Sequence, residues 1–377
     1  MSVWDDVVGQ EVAVEPLVAA AADPAAMTHA WLITGPPGSG RSNAARAFAA
    51  ALLCPQRGCG ECNTCRTVLA GSHADVTILA TERVSITIEE VRQLVSLAQR
   101  APTVGSWRVI IIEDVDRMTE RTANVLLKAI EEPPANTVWV LAAPSPQDVI
   151  VTIRSRCRVI GLRIPSVESV VELLANRDGI DPAVADAAAR AAQCHIGRAR
   201  HLATTPDAMT QRDELLRAVT SVRGVGDAVL AAAELIELAG DQATEQTEQR
   251  NAAERAELLR ALGIEGETVP PALRAQVRAL EEDQKRRATR IQRDGLDRVM
   301  LDLISWYRDV LVVQLGAQVD LVNVAHADAI RATAAETSPA TTLDRIDAIA
   351  TARTRLAANV APVLTVEAMA VALRPQA

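Results

Sequence analysis

Four of the chain's six cysteines crowd between positions 54 and 65, as Cys54, Cys59, Cys62 and Cys65. Thiolates are metal ligands, and with Gly58 and Gly60 allowing tight turns these four are close enough in sequence to surround one tetrahedral Zn²⁺. Four protein ligands leave no open position for water or substrate, so the expected site is structural and does no zinc chemistry. A redox pair or a set of free thiols is the competing reading, and the complete ligand set argues against it.

A second constellation is Gly35-Pro36-Pro37-Gly38-Ser39-Gly40-Arg41-Ser42, which follows an apolar run and opens a helical pattern. A phosphate-binding loop needs that setting. Small residues let backbone N–H groups turn inward, a Lys reaches the β- and γ-phosphates, and a Ser or Thr hydroxyl holds Mg²⁺. Gly35, Gly38, Gly40 and Ser42 keep this pattern, whereas Arg41 stands at the Lys position. A planar guanidinium is a poor substitute where a compact ammonium must fit against phosphates. The chain has only two lysines, Lys128 and Lys285, so biased composition explains part of the exchange. Further on, Val109-Ile110-Ile111-Ile112 delivers Glu113 and Asp114. A hydrolytic site places Asp first, for Mg²⁺, and then a Glu that polarises water. Here the order is reversed. One methylene moves a carboxylate by more than about 1 Å, and misplacement on that scale costs on the order of 100-fold in rate. Together these residues read as a degenerate nucleotide site, holding ATP or ADP weakly and without turnover.

Two arginine-rich stretches complete the inventory. Ile153-Arg154-Ser155-Arg156-Cys157-Arg158 lies where the strand-like patterning ends. A guanidinium presented there could stabilise charge on a phosphoryl group of a neighbouring molecule, although residue type alone favours a solvated surface. Lys285-Arg286-Arg287 with Arg290 and Arg293 is offset by Glu281, Glu282, Asp283 and Asp294, which makes a solvated face the default.

The elements that must position these groups follow from periodicity. Ala30-Trp31-Leu32-Ile33, Val109 to Ile112 and Val138-Trp139-Val140-Leu141 are continuous apolar runs, as strands buried on both faces are. With helical stretches between them, residues 1–165 predict an α/β domain with a parallel, doubly wound sheet and the cysteines inserted between helices. Ser166 reads as a cap opening a small helical domain over 166–205, broken at Gly179-Ile180-Asp181-Pro182. Residues 206–377 carry helical patterning throughout, with breaks at Pro270-Pro271 and Ser338-Pro339. Within them Gln242 to Glu254 is polar and reads as a loop or an exposed helix end.

The balance of 39 basic against 48 acidic residues gives a net charge of −9, so the whole chain does not attract phosphate backbones, and aromatics at 2% offer little base stacking. A free-standing zinc-stabilised nucleic-acid module is disfavoured on both counts. No apolar run of about 20 residues is present, and MSVWDDVVGQ lacks the layout of a signal peptide. A cytoplasmic protein with no membrane partner is expected.

With these residues identified, the chain resembles the delta-prime subunits of bacterial DNA polymerase III clamp loaders, which are AAA+ proteins. The resemblance runs from Val8-Gly9-Gln10 and His29-Ala30 through the cysteines and Gly71-Ser72-His73-Ala74-Asp75-Val76. It continues through Asn124-Val125-Leu126-Leu127-Lys128, Glu131-Glu132-Pro133-Pro134 and Ser155-Arg156-Cys157, and ends at Asn359-Val360-Ala361-Pro362-Val363-Leu364 with Glu367. It implies an AAA+ domain with a zinc module, a helical lid and an all-α collar that oligomerises. It also implies a pentameric ring with delta and tau/gamma subunits, which opens a sliding clamp and places it on primer-template DNA. Arg156 would then be the arginine finger completing a neighbouring tau/gamma ATP site, the chain itself not being catalytic alone.

The sequence departs from the family in three ways. The spacer between Cys54 and Cys59 is short, Ala142-Ala143-Pro144 replaces a polar sensor, and Arg198 after Gly197 matches the second sensor only loosely. The rival reading is a catalytically active tau/gamma-type ATPase that would use Arg41, Ser42, Glu113 and Asp114 directly.

Overall fold

The computed structural model describes residues 2–81, 85–262 and 270–374. The chain divides into two compact units, Met1–Thr205 and Pro206–Ala377.

The first unit is built round a parallel sheet. Its elements run α1 (Glu11–Ala22), β1 (Ala30–Thr34), α2 (Arg41–Leu53), α3 (Asn63–Leu69), β2 (Val76–Leu79), α4 (Ile88–Ala98) and β3 (Arg108–Ile112). Then follow α5 (Glu120–Glu131), β4 (Thr137–Ala143), α6 (Val151–Arg154) and β5 (Arg158–Gly161), with α7 (Val167–Asp178), α8 (Pro182–Ala191) and α9 (Ile196–Thr204) closing the unit. The five strands lie in the order β2-β3-β4-β1-β5. From β1 the chain crosses to the far edge at β2, works back through β3 and β4, and passes β1 to lay down β5. A crevice beyond the C-terminal ends of the strands, where such a reversal occurs, is where open α/β sheets bind ligands.

Alternation along each central strand explains why the runs are apolar throughout. Trp31, Ile33, Val109, Ile111, Val138 and Val140 join Leu17 and Phe48 in one core. Their neighbours Ala30, Leu32, Ile110, Ile112, Trp139 and Leu141 join Val91, Leu94, Leu126 and Ile130 in another. Successive side chains point to opposite faces, so strands covered on both sides are apolar through their middles, and the buried polar residues Thr34, Arg108 and Thr137 stand at strand ends.

Asp75 shows why the segment before β2 is chemically specific. Its carboxylate is fully buried and accepts from the N–H groups of Thr103, Val104 and Gly105 at 2.6, 2.7 and 2.8 Å, and it pairs with buried Arg108 at 3.2 Å. Burial raises its pKa, but the three N–H groups and Arg108 outweigh it, and the net shift is downward. A carboxyl depressed by folding contributes stability that is fully present above its unfolded pKa of about 3.9 and is lost as pH falls through the folded value. Asp75→Asn removes the charge and leaves Arg108 buried without its partner, so it should destabilise this unit by about 3–5 kcal/mol. Chemical denaturation at neutral pH measures it, and the difference from the unaltered chain should shrink in strong acid. A loss under about 1 kcal/mol at pH 7 would contradict this account.

Capping follows the sequence. The hydroxyl of Ser166 accepts from the Ser169 N–H at the start of α7, Gly179 ends α7 in the left-handed region at φ 67°, and Asp181 caps α8 with Pro182 in its first turn. These are the residues that best suit those positions.

The second unit is all-helical. It comprises α10 (Ala208–Thr220), α11 (Val225–Ala261), α12 (Arg274–Gln314), α13 (Ala327–Glu336), α14 (Pro339–Ala357) and α15 (Pro362–Leu373). Leu235, Leu296, Met300, Leu303, Trp306, Ile349, Val366 and Met369 fill its core. Gln242 to Glu254 is neither loop nor helix end: it lies within α11, a helix of 37 residues. Its polar side chains are met by α12, where Arg287 contacts Asn251 at 3.2 Å and Glu254 at 3.1 Å, and Gln284 donates to the Asn251 carbonyl at 3.0 Å. The basic segment is likewise tied to acids, with Arg286 on Glu282 and Arg290 on Asp294. Among the described residues no helix is long and apolar enough to cross a membrane.

Candidate functional site

The four cysteines occupy the connection from α2 to α3. Cys54 caps the C-terminus of α2, Cys62 caps the N-terminus of α3, and Arg57, Gly58 and Gly60 have positive φ in the turn between them. The four sulfurs lie within 4.8 Å of one another. Cys54 Sγ is 3.8 Å from Cys59 Sγ and 3.7 Å from Cys62 Sγ. An S₄ tetrahedron with Zn–S bonds of about 2.3 Å has edges of about 3.8 Å, so the donor set fits zinc in number, chemistry and size. Burial opposes ionisation of Cys54, but the N–H groups of Cys59, Gly58 and Gln56 overcome it and bring the pKa to about 6. Burial pushes the Cys65 thiol up. The Cys65 N–H also donates to Cys62 Sγ at 3.4 Å, an orienting bond round the ligand set.

The glycine-rich loop leaves β1 and enters α2. Gly38 and Gly40 have φ of 87° and 89°, a region that side chains rarely adopt. A Cβ on Gly38 would fall 2.6 Å from the His195 ring, so only glycine lets α9 approach the loop. His195 is also the N-cap of α9, its Nδ1 accepting from the Arg198 N–H at 3.3 Å. Arg198 lies in the first turn of the same helix. Ser42 lies half-buried in the first turn of α2.

Arg41 is turned back on its own loop. Its guanidinium donates to the Gly35 carbonyl at 2.5 Å and stands 3.9 Å from Asp114. Burial depresses its pKa, while Asp114, Asp116 and Glu113 pull the other way. Glu113 and Asp114 follow β3 and diverge: Glu113 meets Arg46 of α2 at 3.4 Å. Asp114 takes φ 54° and meets Arg117 at 3.5 Å as well as Arg41. Both carboxylates are therefore already engaged by arginines. Beside β1, Ala143 offers only its carbonyl, which accepts from the Gly35 N–H at 3.3 Å.

Several contributors went unassigned in the sequence. Arg46 lies one helical turn beyond Arg41, which could have suggested it. Asp116, whose pKa is raised by burial and then by Asp114, is two residues past Asp114 and looks like an ordinary loop acid in sequence. His195 has no local signal at all.

Arg156 sits in the turn between α6 and β5, at the surface of the unit. Its guanidinium donates to the Thr152 carbonyl at 2.8 Å and to Ser155 Oγ at 3.3 Å, and it pairs with Glu131 at 2.6 Å, the two side chains being 39% and 38% exposed. These partners are not the ones that meet Arg41. Cys157 beside it is half-buried, and desolvation pushes its thiol up to about 12.

A parallel five-stranded sheet with a glycine-rich loop after β1, acids after β3, helices following and a four-cysteine module defines an AAA+ fold. Residues 9–166 match the family model described as DNA polymerase III, delta subunit. DNA polymerase III subunit delta' of Pseudomonas aeruginosa is 35% identical over 163 residues, 42% of this chain and 50% of that protein. DNA polymerase III subunit tau/gamma of Haemophilus influenzae is 33% identical over 233 residues, 59% of this chain and 33% of that protein. The chain thus spans half of the first relative's length and a third of the second's. A solved DNA polymerase III, gamma subunit-related protein from Thermotoga maritima aligns over 96% of this chain and 98% of its own, at 16% identity and a TM-score of 0.44. Over the matched residues, then, this chain is similar to the delta' and tau/gamma subunits of DNA polymerase III.

Proposed function

We propose that the chain acts as a delta-prime-type subunit of the clamp loader, entering a ring with delta and tau/gamma subunits in the cytoplasm. There it helps to open the sliding clamp and set it on primed DNA. In this reading residues 1–165 are the nucleotide-binding-like domain, 166–205 the lid and 206–377 the collar that carries assembly. Zinc has a structural role. Arg156 supplies charge to the ATP site of a neighbour, and the chain's own loop does not turn over.

One observation carries the reading. Arg41, at the position of the phosphate-binding Lys, is folded onto Gly35 and held near Asp114, while Arg156 is exposed and pairs with Glu131 instead. A triphosphate entering the loop must first displace the guanidinium from both contacts, and it then meets acids in the reversed order. The second reading, an active tau/gamma-type motor, draws support from the longer span of the tau/gamma match.

Affinity capture of the full chain from its native cell, with subunit stoichiometry, separates the two when combined with ATPase assays. The expected result is recovery of delta and tau/gamma, and no ATP hydrolysis above background by the purified chain, with or without DNA. Robust turnover that vanishes in Arg41→Ala would make this a motor subunit.

A further inference from the structure

We infer that Glu131 is a positioning residue for Arg156, holding its guanidinium where a neighbouring subunit's phosphoryl group will meet it. This rests on the role proposed above for Arg156.

The carboxylate is in an unfavourable place for its own helix. Glu131 is the last residue of α5, where unsatisfied carbonyls favour cations, and Lys128 is the basic residue of that turn. A second acid, Glu132, follows. What compensates Glu131 is Arg156, which reaches it from a different element at 2.6 Å. The backbone beneath both groups is fixed: Glu131 belongs to α5, and the Arg156 N–H donates to the Ile153 carbonyl at 3.0 Å. The Thr152 carbonyl and Ser155 Oγ take further donors on the same side. A guanidinium has five N–H donors, so three acceptors fix its plane and leave donors for an incoming oxygen.

Magnitude decides between a lock and a support. An exposed ion pair shifts an equilibrium by no more than about fivefold, so Glu131 cannot withhold Arg156 from a phosphoryl group. Orientation is worth more, because misplacement by about 1 Å at a reacting centre costs on the order of 100-fold. A long, flexible side chain held in one rotamer before the neighbour arrives is the gain this contact offers.

The test uses the assembled loader with ATP and primed DNA, comparing Glu131→Gln, Glu131→Asp, Arg156→Ala and the exchanged pair Glu131→Arg/Arg156→Glu. Glu131→Gln should lower kcat at the affected site about 5- to 20-fold, a part of the positional effect, with KM for ATP and subunit stoichiometry unchanged. Glu131→Asp, which keeps the charge on a shorter arm, should fall between Glu131→Gln and the unaltered chain. The exchanged pair restores the ion pair but should not restore turnover. Should Arg156→Ala lower kcat while Glu131→Gln stays within twofold, or should the exchanged pair recover activity, the positioning role is wrong and the finger reading survives. An Arg156→Ala loader with unaltered kcat removes the finger reading and this inference together.

Discussion

On the role proposed for it, Arg156→Ala in the assembled clamp loader should lower ATP turnover at one neighbouring site by about 10³–10⁵-fold, the range for removal of an arginine finger. A guanidinium helps here because negative charge spreads over the equatorial oxygens of a transferring phosphoryl group, and a delocalised cation with several donors matches it. Steady-state ATPase of the whole complex should fall far less, since sites completed by other subunits keep their own cations. Pre-steady-state turnover, which resolves the slow site from the others, is the decisive measurement. Clamp loading, which needs the sites to act together, should fall further than steady-state ATPase. The variant should fold and assemble normally. Arg156 makes only surface contacts, to Glu131, Thr152 and Ser155, and losing an exposed pair costs about 1 kcal/mol or less. Full single-site turnover in a correctly assembled variant would falsify the assignment of Arg156 and leave the similarity to the delta' and tau/gamma subunits unaffected.

The contrast between the two arginines shows what the sequence could and could not carry. Buried strands were legible because strands covered on both faces are apolar at successive positions through their middles, as Ala30 to Ile33, Val109 to Ile112 and Val138 to Leu141 are. Edge strands β2 and β5 are short and partly exposed, and they lack that signal. The cysteine cluster was legible because its ligands are close in sequence, and the caps at Ser166 and Asp181 because capping is local. Pairings made across the fold left no trace: Arg46 with Glu113, His195 against Gly38 and Glu131 with Arg156 join residues brought together only by the packing of separate elements. The polar stretch within α11 misled for the same reason. Its charges look solvated until α12, distant in sequence, supplies Arg287 and Gln284.

Removing zinc is the other perturbation expected to have a large effect. The purified chain should carry close to one zinc per molecule, and Cys54→Ser should lose it. In small domains the apparent binding free energy of a four-ligand structural zinc at pH 7 is about 10–16 kcal/mol, and it is folding free energy where the site does not exist in the unfolded chain. The module here is not free-standing. Cys54 and Cys65 are buried in the core with Phe48 and Val68, and the Val3 N–H donates to the Gly58 carbonyl at 3.0 Å. The α/β core supplies part of the order, so only part of that energy should appear as stability. Loss of metal should therefore open the stretch from Cys54 to Cys65 and the N-terminal segment packed on it, with the central sheet intact. Hydrogen exchange on metal-free chain should show this as lost protection at Val3 and through α3, with β1, β3 and β4 unchanged. Protons compete with metal for thiolates. Cys54, at about 6, is largely ionised at pH 7, whereas Cys65 is raised by burial and must give up its proton on binding. Affinity should accordingly fall as pH drops, and a chelator that strips little zinc at pH 8 should strip it readily near pH 5. Metal-free chain with unchanged exchange in α3, or zinc retained equally at both pH values, would show that the four cysteines do not act as a ligand set.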